Sequence, residues 1–174
     1  MLSKQELTGI LEVHANNLRI ANVFRVLSRG TNLASAFREI VDSKSPIVFQ
    51  PTFSLLEDRA KLTHSVDQLY FALMRTSITE ALDLTREYCR LTNQVSILKE
   101  QPWFHLFRIF RNSLNHNFKL DLKKDDLKHL PLSWRTITVT ESEQGRELTL
   151  NILPPEIAID WLIEVDEFIN TRLV

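Results

Sequence analysis

The chain has 174 residues, of which 44% are apolar and 25% charged, an ordinary composition for a globular protein of one domain. Its formal net charge of −1 excludes a general attraction to nucleic acid or anionic lipid, so such binding needs a local basic patch. Only three glycines are present, and this scarcity of turn residues disfavours an all-β fold and favours long helices.

The N-terminal part of the chain, residues 1–45, is predicted to be helical. Ser3 is followed three residues later by Glu6, the capping-box pattern that begins a helix, and Gly30 is a natural end for that helix. A shorter helix is expected at residues 33–41, before two prolines interrupt the pattern at residues 45–51. The first residues lack the apolar run of a signal peptide, and no apolar stretch is long enough to be a transmembrane helix. We therefore expect a soluble, cytoplasmic protein without membrane contact.

Residues 52–117 are predicted to form the core helices. Apolar residues at helical spacing cover residues 52–92, and a second capping-box pattern at Ser77 allows either one kinked helix or two successive helices. The only cysteine, Cys89, lies in this stretch. Because the chain has no second cysteine, it cannot form an internal disulfide, and Cys89 is expected to be a buried, reduced thiol. Pro102 then opens a helix that runs to about His116.

The helix at residues 103–116 is predicted to have one apolar and one unusual polar face. On a wheel of about 100° per residue, its core-facing stripe holds Trp103, Leu106, Phe107, Phe110 and Leu114. The opposite arc holds two arginines, two histidines and two asparagines, namely His105, Arg108, Arg111, Asn112, Asn115 and His116. This arc contains neither lysine nor acid, whereas an ordinary solvated helix face mixes both.

These residue types are suited to phosphate chemistry. A guanidinium offers a fixed fork of donors to phosphate oxygens, and an imidazole exchanges a proton near neutral pH. The competing interpretation is structural, with Arg111 and His116 ion-paired to acids of the preceding helix, Glu80, Asp83 and Glu87. One of these acids could instead orient Arg111 or His116, although an exposed acidic face is the simpler expectation.

Beyond this helix, a charged run at residues 119–128 alternates in sign and is expected to be solvated. Alternating apolar residues on either side of Gly145 predict a β-hairpin at residues 134–153, and a last amphipathic helix is predicted at residues 155–172. His64 and His129 have no partner at metal-ligand spacing, so neither a metal site nor a cofactor is predicted.

At Arg111-Asn112-x-x-x-His116 the chain resembles the HEPN superfamily, whose signature is an arginine, a polar residue and a short spacer ending in histidine near a helix end. The resemblance covers roughly residues 52–117 and implies a HEPN-like helical bundle. With the elements predicted from the residues, the expected fold is mainly α: a single HEPN-like domain over residues 1–174, with an appended β-hairpin and C-terminal helix. It also implies a homodimer in which both motifs face one cleft.

The activity that the resemblance implies is metal-independent cleavage of RNA through attack by a 2′-hydroxyl, in the setting of a toxin or a defence effector. Arg111 and His116 would be catalytic, with Asn112 positioning them or the RNA. His105, Arg108 and Asn115 are the candidate substrate-binding residues, and the first two could equally lie at the rim of a dimer. The alternatives are a non-catalytic HEPN-like module that dimerises or binds an antitoxin or a nucleotidyltransferase, and a plain helical scaffold.

Overall fold

The computed structural model describes residues 2–30, 33, 35 and 50–174, and these residues are mainly helical. The helices are α1 (Lys4–Gly30), α2 (Gln50–Glu57), α3 (Arg59–Leu91), α4 (Val95–Lys99), α5 (Phe104–Asn115), α6 (Lys124–Leu127) and α7 (Pro155–Arg172). A two-stranded hairpin, β1 (Leu132–Trp134) and β2 (Ile137–Val139), precedes a 3-10 turn at Glu141–Glu143. The predicted mainly α fold with a small hairpin and a C-terminal helix is confirmed.

The described chain divides into two compact units. One consists of Met1–Asn16 together with Met74–Val174, and the other is Asn17–Leu73. Within the smaller unit, Arg25 and Arg29 both donate to the carboxylate of Asp67, over 3.1 and 2.7 Å respectively. The assignment of residues 1–174 to a single domain stays a prediction. None of the helices in the described part of the chain combines the length and apolar composition that spanning a bilayer requires.

The beginnings of α1 and α3 follow from local side-chain capping. The Glu6 carboxylate accepts the backbone N–H of Ser3 over 2.7 Å, and the Ser3 hydroxyl accepts the backbone N–H of Glu6 over 3.2 Å, as the capping box predicts. Two successive helices are present in the next stretch, but they divide at Asp58, which accepts the Lys61 backbone N–H, and not at Ser77. The helix expected at residues 33–41, and most of the break expected at 45–51, fall outside the described residues.

The apolar face of α5 is buried against α7 and β1 in the larger unit. The rings of Phe107 and Trp161 stack with centroids 4.4 Å apart, and Trp103 meets Trp161 edge to face at 5.8 Å. Trp134 of β1 adds a further edge-to-face contact with Phe107 at 5.2 Å. Each such pair contributes about 0.5–1.5 kcal/mol beyond the burial of its apolar area, so this cluster fixes the rotation of α5 about its axis.

The buried face of α5 is wider than the wheel predicts. The five expected core residues are all buried, and Phe104 and Ile109, which fall among the polar residues on the wheel, are buried as well. A buried arc this broad leaves the polar side chains at its edges, where neighbouring segments partly cover them. The residues of the predicted polar arc are therefore half-buried from His105 to Asn115, whereas His116 is exposed.

The predicted hairpin is present, but the predicted pairing is wrong. The strand at Ile137–Val139 pairs antiparallel with Leu132–Trp134 before it, and not with the residues after Gly145. The connecting turn uses Arg135, which adopts a positive φ of 51° although it is not a glycine. Of residues 148–152, expected to be the second strand, residues 150–152 form turns, with Leu153 N bonded to Thr149 O over 2.9 Å, whereas Leu148 donates to the Phe118 carbonyl over 2.7 Å.

The single cysteine is buried in α3, as predicted. Burial raises the pKa of the Cys89 thiol to about 11, because the surrounding apolar side chains do not solvate a thiolate. A thiol with so high a pKa is almost fully protonated at neutral pH and is a poor nucleophile. Cys89 is therefore a core residue.

Candidate functional site

The Arg111 guanidinium lies between α5 and α3 and has one carboxylate partner. Its Nη2 donates to Oδ2 of Asp83 over 2.7 Å, and its Nη1 donates to Oδ1 of Asn112 over 3.3 Å. The Arg111 side chain is 29% exposed and that of Asp83 is 41% exposed, so the pair remains open to solvent. The Nε of Arg111 is buried, and none of the described residues forms a hydrogen bond with it. The expectation that the acids of α3 form only an exposed face is therefore wrong for Asp83.

The three candidate acids of α3 have different partners. Glu80 lies 2.9 Å from Nε2 of His14, and the two carboxylate oxygens of Glu87 accept from Arg90 one turn further along α3. Asp83 alone reaches α5. Of the three, Asp83 is thus the acid positioned to hold Arg111 in place.

Asn115 connects the end of α5 to α3. Its Nδ2 donates to the hydroxyl of Thr79 over 2.8 Å and to the Arg111 carbonyl over 2.9 Å, and its Oδ1 accepts from Nε of Arg75 over 3.1 Å. Both amide hydrogens are therefore used inside the chain. This arrangement favours a role for Asn115 in holding α5 against α3 over the predicted role in binding substrate.

His116 is the residue at which α5 ends. Its φ of −127° and ψ of 86° leave the helical range, so its side chain does not follow the direction that an ideal helix would give. The imidazole is exposed, and none of the described residues forms a hydrogen bond or ion pair with it. Asp121 lies nearby: a hydrogen bond from Lys123 is the largest influence lowering the pKa of that carboxyl, and His116 contributes less.

The backbone after His116 turns sharply. Asn117 and Phe118 both adopt left-handed conformations, with φ of 59° and 53°. Such a conformation is uncommon for residues other than glycine, so it persists because the following chain is held. Leu148 donates to the Phe118 carbonyl over 2.7 Å, Leu120 to the Arg146 carbonyl over 2.9 Å, and Gly145 to the Leu120 carbonyl over 2.7 Å.

Arg108, one turn before the motif, is paired with a buried acid. Its Nη2 donates to Oδ1 of Asp126 over 2.5 Å, and the Asp126 side chain is only 2% exposed. Asp126 also caps α6 by accepting the Lys123 backbone N–H over 2.8 Å. The expectation that the run at 119–128 is merely solvated is wrong at this residue, because the run folds back to cover α5.

His105, at the beginning of α5, stacks on His129 with ring centroids 3.7 Å apart and an angle of 22° between planes. Its Nδ1 is buried and has no hydrogen-bond partner in the part of the chain that the structure describes. Burial is the largest cause of a lowered His105 pKa, and the neighbouring His129 and Arg108 lower it further. His105 is therefore mainly neutral at pH 7.

A groove of about 730 Å³, which we call the basic groove, opens between the second half of α3, α4, the first half of α5 and residues 125–129. Its cationic lining residues are Arg86, Arg90, Lys99, Arg108 and Lys128. Its acidic lining residues are Asp83, Glu87 and Asp125. The groove also includes both stacked histidines, but not Arg111, Asn112 or His116. The predicted polar face of α5 thus divides into two parts that meet at Asp83, which lines the groove and binds Arg111.

Several residues of this site could not be assigned from the sequence. Asp126 and His129 lie in the run expected to be solvated, and Thr79 and Arg75 have no distinguishing pattern. The one available signal was the acid itself, Asp126, in the first turn of a short helix, where its carboxylate can accept a free backbone N–H. Among the described residues, no group of three or more His, Cys, Asp or Glu side chains is arranged to hold a metal ion.

The chain matches no protein-family model, no curated protein and no solved structure in the comparisons made. A functional hypothesis therefore depends on the chemistry of Arg111, His116 and the groove beside them.

Proposed function

We propose that this protein is a metal-independent endoribonuclease of HEPN type that uses Arg111 and His116. The observation that carries the proposal is the end of α5. There the His116 imidazole is exposed and has no hydrogen-bond partner among the described residues. Before it along the chain, the half-exposed guanidinium of Arg111 pairs with the carboxylate of Asp83. An imidazole can exchange a proton with a ribose hydroxyl, and a guanidinium can bind the phosphate next to it.

The proposed reaction forms a bond between the 2′-oxygen and phosphorus and breaks the bond between phosphorus and the 5′-oxygen. His116 accepts the proton of the 2′-hydroxyl, and Arg111 stabilises the charge that develops on the phosphate oxygens. A protonated imidazole donates a proton to the departing 5′-oxygen, a role that the second His116 of a homodimer would fill. The products are a 2′,3′-cyclic phosphate and a 5′-hydroxyl, and no metal takes part.

The ion pair with Asp83 is compatible with phosphate binding. Both side chains are partly exposed, and ion pairs of this kind contribute about 0–1 kcal/mol, so a phosphate can compete for the guanidinium. Asp83 then serves as a positioning residue that keeps Arg111 beside Asn112 before substrate arrives.

The direct test is cleavage of single-stranded RNA by the purified full chain in EDTA. We expect fragments that end in 2′,3′-cyclic phosphate, and no cleavage of a substrate with 2′-deoxyribose at the scissile position. If EDTA stops the reaction, a metal-dependent mechanism replaces this one. A toxin or defence role belongs to the same proposal and predicts that expression of the active chain slows cell growth.

Replacing Asp83 by asparagine separates a positioning role from a structural one. We expect Asp83→Asn to reduce kcat/KM for RNA cleavage by about 10- to 100-fold, since a misdirected Arg111 stabilises the transition state less well. The free energy of unfolding should change by less than about 1 kcal/mol, because the pair is partly exposed. The matched control is Glu80→Gln on the same helix, which removes the acid beside His14. Equal losses of activity in both variants, or a large loss of stability in Asp83→Asn alone, would favour the scaffold interpretation.

One observation favours a non-catalytic alternative. The pairs Arg108–Asp126 and Arg111–Asp83 neutralise two guanidiniums within one chain, as expected of a polar face that binds a protein partner. In that case the chain cleaves no RNA, and it co-purifies stably with a partner such as an antitoxin or a nucleotidyltransferase.

A further inference from the structure

We propose that the basic groove binds a nucleotide, with phosphate at its cationic wall and the base against its stacked histidines and apolar floor. This inference concerns residues that the motif does not include, and it does not depend on RNA cleavage. The nucleotide is either a free mononucleotide or one unit of a single-stranded RNA.

The size and position of the groove suit such a ligand. Its volume of about 730 Å³ lies within the range of about 300–1,000 Å³ that small-molecule sites occupy. All of its lining residues belong to the larger compact unit, and four helices, α3, α4, α5 and α6, contribute to it. Its walls therefore come from regular secondary structure packed into one core.

The charge of the groove is opposite to that of the whole chain. Five cationic side chains and three acidic ones line it, an excess of two positive charges without counting the two histidines. In the chain as a whole, acids exceed cations by one. Such a concentration of positive charge attracts anions locally.

Two of these cations are available to a ligand. Arg90 and Lys128 are engaged by Glu87 and Asp125, whereas Arg86 and Lys99 are exposed and form no ion pair with any described residue. A phosphate between Arg86 and Lys99 would displace no internal partner. Arg86 offers the fork of donors that phosphate oxygens prefer.

The rest of the groove presents surfaces that suit a base. Val95, Leu98 and Phe104 contribute apolar or aromatic area, and His129 is an exposed ring stacked on His105. A base that stacks on an aromatic ring gains about 1–3 kcal/mol and needs no sequence-specific contact. Inorganic phosphate alone would leave this surface unused.

Binding should strengthen as the pH falls. His105 faces His129, Arg108, Asp126 and Lys99, and desolvation and the neighbouring cations keep its pKa below the ordinary value. A bound phosphate favours the protonated imidazole and raises that pKa, so binding takes up a proton. Affinity is therefore expected to rise as the pH falls through the range in which the His105 imidazole takes up its proton, and to level off at higher pH.

The test uses the full chain and two probes, ADP and a 2′-O-methyl oligonucleotide of about eight residues, measured by calorimetry and fluorescence anisotropy. The oligonucleotide lacks the attacking hydroxyl and cannot be cleaved by the proposed reaction, so its binding can be measured whether or not the protein cleaves RNA. Binding of ADP assigns the groove to a free nucleotide, and binding of the oligonucleotide alone assigns it to RNA. Inorganic phosphate serves as the competitor, and competition as strong as that of ADP would contradict the role of the base.

The double variant Arg86→Ala/Lys99→Ala is expected to weaken binding of the preferred probe by at least about tenfold at low salt. For the oligonucleotide, loss of two phosphate contacts should reduce the slope of log Kd against log salt by about 1.4. The matched control is Arg172→Ala, which removes an exposed cation that does not line the groove. Unchanged affinity in the double variant, equal loss in the control, or failure of both probes to bind overturns the proposal.

Discussion

Replacing His116 by alanine is expected to reduce RNA cleavage in EDTA by about 10²- to 10⁴-fold, because the reaction then lacks its general base. His116 is exposed at the end of α5 and its imidazole forms no hydrogen bond or ion pair with the rest of the described chain, so removing the ring should leave the fold unaltered. Arg111→Ala removes the group that stabilises the phosphate charge and should reduce cleavage by about 10²- to 10³-fold. The measurement is kcat/KM on a labelled single-stranded RNA, together with circular dichroism of each variant.

The matched control for this pair is His64→Ala, which removes another exposed histidine, one that lies in the smaller unit. Its activity should equal that of the unchanged chain. A His116→Ala protein that cleaves RNA as fast as this control would show that the imidazole has no role in the reaction. If Arg111→Ala unfolds at a much lower temperature, Arg111 serves the structure, because exposed ion pairs of this kind stabilise a fold only slightly.

Replacing Asp126 by alanine is expected to lower the free energy of unfolding by about 2–3 kcal/mol. The carboxylate is 2% exposed, pairs with Arg108 over 2.5 Å and caps α6. Removing one partner of a buried pair leaves the other without compensation, which costs about 3–5 kcal/mol. We expect a smaller loss because Arg108 is 28% exposed and water can solvate it. The melting temperature should fall by about 5–10 °C.

The neighbouring acid provides a close control for this prediction. Asp125 is 72% exposed and pairs with Lys128 on the surface, so Asp125→Ala should change the free energy of unfolding by less than about 1 kcal/mol. Chemical denaturation of both variants measures the difference. Equal losses would mean that burial of Asp126 contributes nothing to stability.

Helices were predictable from this sequence because their signals are local. The apolar period of α5 and the capping box at Ser3 each depend on residues within a few positions of one another. The hairpin pairing was not predictable in this way. Gly145 marked a turn, and it does adopt a positive φ of 77°, but the strand pairing closes through Arg135. A non-glycine residue with positive φ leaves no compositional signal.

The chemistry of the site was predictable from one helix, but its electrostatics were not. The arginines, histidines and asparagines of α5 are visible on its wheel. The carboxylate partners of the two arginines are distant in sequence. Asp83 lies 28 residues before Arg111, and Asp126 lies 18 residues after Arg108. Which acid of α3 faces α5 depends on how the aromatic core rotates the two helices against each other. That choice among Glu80, Asp83 and Glu87 is a property of the packing.

Asn117 and Phe118 are left-handed, and the chain at Phe118 and Leu120 forms backbone hydrogen bonds with residues 145–148. This fixed backbone next to His116 has a consequence for the choice of substrate. If His116 accepts the proton as proposed, its fixed backbone limits how far the imidazole can move to follow the ribose. In-line displacement needs the 2′-oxygen, the phosphorus and the departing oxygen to come into one line, and stacked A-form RNA does not offer that alignment. In the proposed reaction, the RNA itself must therefore adopt the in-line geometry. Only loops and frayed ends of RNA are flexible enough to do so.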